Sequence, residues 1–90
     1  MTAVRIPPVM RASTAGQKQV EINGSTVREL IVALVADYPG LRPQVFSTDG
    51  ELNGFLNLFI NDTDVRHLDG LETVVGESDR LVLLPAMAGG

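Results

Sequence analysis

Apolar and polar residues alternate with two different periods along this chain, and each change of period marks an element. Val4, Ile6 and Val9 outline a first strand, cut short by Pro7-Pro8, since prolines remove donors from a sheet ladder. Met10 to Gly16 is small and polar and is expected to be a loop. From Gln17 to Asn23 the period is two, with Val20 and Ile22 on one side and Gln19 and Glu21 on the other. That pattern predicts a half-buried strand, closed by an Asn23-Gly24 turn. The period then lengthens. Val27, Leu30, Ile31, Leu34, Val35 and Tyr38 form one helical stripe. Thr26 with Glu29 fits a capping box, and Pro39-Gly40 stops the helix.

The stretch 41–54 has no period, with Val45, Phe46 and Leu52 as its expected anchors. Alternation returns at Leu56 to Asn61, where Leu56, Leu58 and Ile60 share one side. A turn at 61–64 leads to a short returning strand over 65–68, and 71–75 suits a single helical turn. Arg80 to Pro85 is the last strand, followed by Ala86-Met87-Ala88-Gly89-Gly90. One helix cannot cover two faces of a sheet. The order therefore predicts an α+β domain with the helix across one face of a mixed four- to five-stranded sheet. With the first and last strands paired centrally, this is the β-grasp arrangement of ubiquitin-like proteins. Residues 1–85 form the expected domain and 86–90 a flexible tail.

Ninety residues make one domain, without room for a second lobe around a deep cleft. With 7 basic and 11 acidic side chains the net charge is −4, which disfavours nucleic acid and anionic membranes and suits a basic partner surface. The chain has no cysteine, so sulfur cannot be held as a side-chain persulfide. Met1 to Met10 has neither a long apolar run nor a small-residue cleavage site, so the expected location is the cytoplasm.

The tail then becomes the chemical centre. A terminal Gly-Gly arises by chance about once in 200 chains, so the pair needs its context. Here it follows a strand, a proline and three small or flexible apolar residues. From Pro85 to Gly90 the chain can reach roughly 20 Å, and glycines without a Cβ can thread a narrow channel. A carboxylate is a poor acyl donor. Adenylation by ATP in a partner enzyme converts it to an acyl-adenylate, and a sulfur nucleophile can then leave a terminal thiocarboxylate.

The stretch Glu77-Ser78-Asp79-Arg80-Leu81-Val82-Leu83-Leu84-Pro85-Ala86-Met87-Ala88-Gly89-Gly90 resembles the terminal motif of the ThiS/MoaD family of sulfur carriers. Asn57-Leu58-Phe59-Ile60-Asn61-Asp62-Thr63-Asp64-Val65-Arg66 resembles the family's block of strand, acidic turn and Val-Arg. Arg5 to Arg11 with Gly16-Gln17-Lys18 is similar to the opening hairpin of the branch that serves cysteine biosynthesis. Ser78 stands where the family usually has glycine, with Gly76 two residues earlier, so the turn there is expected to be built differently.

The resemblance implies a β-grasp fold and a protein cosubstrate rather than an enzyme. It implies activation by an E1-like adenylating enzyme and a thiocarboxylate at Gly90. In the cysteine branch it also implies a pyridoxal-phosphate (PLP) dependent synthase and a metallopeptidase that releases cysteine. ATP, PLP and any zinc then belong to the partners, and this chain binds no cofactor or metal of its own.

Gly89, Ala88 and Met87 are the expected threading residues. Phe59, Val82 and Leu84, with Met87, form an exposed docking patch if Leu81 and Leu83 point inward; the opposite facing, or cover from 41–54, would remove it. His67 is expected on the surface, and Asp62, Asp64 and Asp69 in turns rather than around a metal. Arg11 and Lys18 are expected as solvated charges, with docking as their alternative use. The competing functions are a molybdopterin-synthase small subunit, a carrier for secondary metabolism, a ubiquitin-like modifier, and a plain interaction domain. The free chain is expected to be a monomer.

Overall fold

The computed structural model describes residues 1–85. Five strands, β1 (Thr2–Arg5), β2 (Gln19–Ile22), β3 (Leu56–Ile60), β4 (Thr63–Asp64) and β5 (Arg80–Pro85), form one sheet in the order β2-β1-β5-β3-β4. β1 and β5 run parallel at the centre, and the other neighbours are antiparallel. This is the mixed β-grasp sheet, with the first and last strands side by side.

Helix α1 (Val27–Asp37) crosses one face. Its stripe of Val27, Leu30, Ile31, Leu34 and Val35 is buried in one cluster with Val4, Val20, Ile22, Leu58, Ile60, Leu81 and Leu83. Thr26 caps it, its Oγ1 accepting from the Glu29 N–H at 3.2 Å. Glu29 reaches back to accept from the Ser25 N–H at 2.8 Å, one residue before the cap. The helix ends at Asp37, and Tyr38 packs against the core from the capping position. Gly24 gives α1 room at its start: a Cβ there would sit 3.1 Å from the Leu30 backbone nitrogen.

Three segments differ from the alternation pattern. Pro7-Pro8 do end β1, but Pro8–Thr14 then coils as a 3-10 helix instead of a loop. With three residues per turn, Met10 goes inward while Val9 faces out, so Val9 is not a strand residue. The returning strand lies at Thr63–Asp64, not at 65–68. Asp64 accepts from the Arg66 N–H at 2.8 Å, which caps a 3-10 turn at Val65–His67 and ends the strand. Finally, 42–45 forms a helical turn, α2 (Arg42–Val45), and Phe46 bridges to Leu52. Val45 is its buried anchor, with Phe46 and Leu52 partly buried against the core. The single helical turn expected over 71–75 lies instead at Gly70–Glu72 as a 3-10 turn, and Val74 bridges to Thr26.

Candidate functional site

β5 determines where the chain leaves the domain. Its register with β1 runs Ala3↔Arg80, Val4↔Leu81, Arg5↔Val82 and stops there, because the prolines at 7 and 8 remove the next donors. β5 continues to Pro85 paired with β3 alone, through Leu58↔Leu83, Asn57↔Leu84 and Leu56↔Pro85. Residues 86–90, which include Met87, Ala88, Gly89 and Gly90, follow from this point and lie outside the described residues.

Alternation along β5 turns Leu81 and Leu83 into the core, and Val82 and Leu84 to the face away from α1. Phe59 lies directly across from Val82 on that face, and Asn57 across from Leu84. Phe59 and Val82 are half-buried. Leu84 is 46% exposed, as are two further apolar residues near the exit, Val9 at 67% and Phe55 at 63%. Val9, Phe55 and Pro85 line one groove of about 230 Å³ together with Pro43 and Asn53. The apolar surface around the exit thus extends past the predicted trio to Val9 and Phe55. Carrying the β3 alternation back from Asn57 puts Phe55 on the outward side, so its signal was present in the sequence.

The charges are unevenly placed. Arg5 ends β1 and stands beside Val82. Arg11 is half-buried rather than fully solvated, its Nε donating to the Ile6 carbonyl at 3.1 Å. Lys18 is exposed, and its carbonyl accepts from Ile6. Arg42 lines a groove with Phe46 and Phe55, whereas Arg5 and Arg80 line a groove at the start of β5. Asp62, Glu77 and Asp79 line that same groove, so acidic and basic side chains are mixed there.

The Asp64 carboxylate lies against Arg66, with Nη2 donating to Oδ2 at 2.7 Å. These side-chain and backbone donors hold it well below the usual carboxylate range, at about 2. The turn before β5 is indeed built on Gly76: its N–H donates to Asp79 Oδ2 at 2.9 Å, and Asp79 N–H returns to the Gly76 carbonyl at 3.1 Å. That carboxylate is also held low, by the Gly76 N–H and then the Asn61 amide. His67 is exposed at the end of its turn. Among the described residues, no three His, Cys, Asp or Glu side chains are grouped to hold a metal, and no helix is long and apolar enough to cross a membrane.

A family model described as the ThiS family matches residues 4–90. The chain belongs to the ThiS family. The sulfur carrier protein CysO of Mycobacterium tuberculosis is 40% identical over 89 residues, covering 97% of this chain and 96% of that protein. The fold agrees with the crystal structure of the Amycolatopsis orientalis BexX/CysO complex at a TM-score of 0.88, with 39% identity and full coverage of both chains. It agrees equally, at 0.88, with the small archaeal modifier protein 1 of Methanosarcina acetivorans, at 32% identity over 99% of this chain and 95% of that one. In sequence and fold this member of the ThiS family is a sulfur carrier of the CysO type.

Proposed function

We propose that this ThiS-family member delivers sulfur from the carboxylate of Gly90, as a cosubstrate that moves between enzymes. An E1-like partner transfers AMP from ATP to the Gly90 carboxylate, releasing pyrophosphate. Sulfide-level sulfur attacks the acyl carbon and expels AMP, which leaves a thiocarboxylate. Gly89 and Ala88, with little or no side chain, let the tail enter the partner's channel, and Met87 adds an adaptable contact. The acceptor is the aminoacrylate on a PLP-dependent cysteine synthase, and a metallopeptidase then releases cysteine. ATP, PLP and any zinc belong to the partners.

The observation that carries this reading is the course of β5. The central strand delivers the chain at Pro85, beside Leu84 and the Phe59–Val82 pair, with a five-residue Gly-Gly end still to come. Phe59, Val82 and Leu84 supply the docking surface, and Gly90 supplies the chemistry.

Intact-protein mass spectrometry of material from the native host tests it. Exchange of one oxygen for sulfur adds about 16 Da and is abolished by deleting Gly90. The likeness to an archaeal modifier protein supports a second reading, in which Gly90 is joined to lysines. A ladder of lysine conjugates without the mass gain would replace the first reading with that one.

A further inference from the structure

The outer side of α1 carries a groove of its own. Arg28, Val32 and Ala36 stand at i, i+4 and i+8 and are exposed, so they share a stripe turned away from the buried one. With Pro39, Arg42 and Phe46 from the segment that follows, they line a groove of about 470 Å³. Among the described residues, its only polar side chains are Arg28 and Arg42, and no acidic one lines it although the chain has 11. Val32 is 54% exposed in the middle of the helix. Valine is stiff at χ1 and a poorer helix former than alanine or leucine, so at an open position it does not serve α1 itself.

The charges in the groove are not equivalent. Arg28 Nε donates to Glu72 at 2.7 Å, so that cation is already matched. Arg42 lies 5.9 Å from the centroid of the Phe46 ring and, among the described residues, has no carboxylate within 4 Å. The nearby Asp49 does not supply one, since it accepts from the Ser47 hydroxyl and the Glu51 N–H. A guanidinium held on an aromatic ring still presents N–H donors to a carboxylate. We propose that this groove docks a segment of a partner protein in which apolar side chains flank a carboxylate. The apolar groups lie on Val32 and Phe46, and the carboxylate on Arg42. Charge complementarity selects this occupant. A basic segment would meet two arginines, and a second copy of this chain would set a net charge of −4 against its own. The inference stands apart from the carrier reading and extends it. Helix α1 separates the groove from the sheet, so an enzyme on Phe59, Val82 and Leu84 leaves it open, and one chain can be held by two proteins at once.

NMR titration of the full chain tests this with the blocked peptide Asp-Leu-Leu-Asp-Leu-Leu and two counterparts, one with Lys for both Asp and one with Ser for every Leu. Saturable shifts at Val32, Ala36, Arg42 and Phe46 are expected with the first peptide, at a Kd of about 1 mM or below. Both counterparts should bind at least about fivefold more weakly. Arg42→Glu should weaken the first peptide about tenfold, and Val32→Gln about threefold. Both positions are exposed, so neither variant threatens the fold. Equal binding of the Lys peptide, or no shift at millimolar peptide, would overturn the proposal. Shifts at Phe59 and Leu84 instead would also overturn it, by assigning the peptide to the other face. So would shifts at Val32 and Phe46 that change on dilution without peptide, which would assign the groove to a second copy. The mass test reads something separate: a missing sulfur gain sinks the carrier reading and leaves this one intact.

Discussion

Phe59 on β3 and Val82 on β5 stand directly opposite each other on the sheet face away from the helix. Leu84, one step further along β5 and 46% exposed, continues their strip toward the chain exit. A charge at position 84 therefore meets water in the free protein and an apolar surface in a complex. Leu84→Glu should leave unfolding within about 0.5 kcal/mol of the parent. It should weaken binding to the cognate adenylating enzyme by about tenfold or more. Paired thermal melts and calorimetric titrations check both halves; unchanged affinity would remove this strip from the docking surface.

Acid should expose the Asp64 contact. Its carboxylate moves from an ordinary 3.8 to about 2 because Arg66 donates to it from both side chain and backbone. A carboxylate lowered on folding stabilises the protein above its unfolded value and loses that contribution as pH falls through the folded one. Stability is expected to be flat near neutrality and to decline from about pH 4 to about pH 2. Asp49 and Asp79, also held low by hydrogen bonds, add to the same limb. In Asp64→Asn the decline should be shallower in urea melts taken across this window. An identical slope would mean that Arg66 holds Asp64 equally in the unfolded chain.

The cap on α1 is separable from the core. Thr26→Ala removes the acceptor for the Glu29 N–H, and about 1 kcal/mol of stability should be lost. Thr26→Ser should recover most of it. Denaturant midpoints of the three proteins decide this.

Leu81 lies on the central strand and is fully buried. Leu81→Ala should cost about 2–5 kcal/mol. That is a large share of the roughly 5–13 kcal/mol expected for a domain of this size. The variant should melt far below the parent in a calorimeter, and a small shift would mean that neighbouring side chains close the cavity.

The parts of this fold that were legible in the sequence are those with a sustained period. The stripe from Val27 to Val35 and the alternation in β3 and β5 each bury one side against the same core, so pattern and burial coincide. The segments 8–14 and 63–68 are too short for a period to set their form. In the first, the prolines and the burial of Met10 select a 3-10 coil that turns Val9 outward. In the second, a single carboxylate, Asp64, ends the strand by capping Arg66. The site was legible to the same degree: Phe59, Val82 and Leu84 follow from alternation, whereas Val9 reaches the exit only through the coil. The Pro43 and Asn53 side of the exit groove depends on how 42–55 closes on itself, through the Phe46–Leu52 bridge, and no local pattern encodes that.

The position of β5 also has a mechanical consequence. It is bound in register on both sides, to β1 at three positions and to β3 at five. Tension applied at its C-terminal end runs along the strand axis and loads both ladders in shear, so they must fail together rather than unzip one bond at a time. An enzyme can therefore haul on the end of this chain while the domain behind it stays folded.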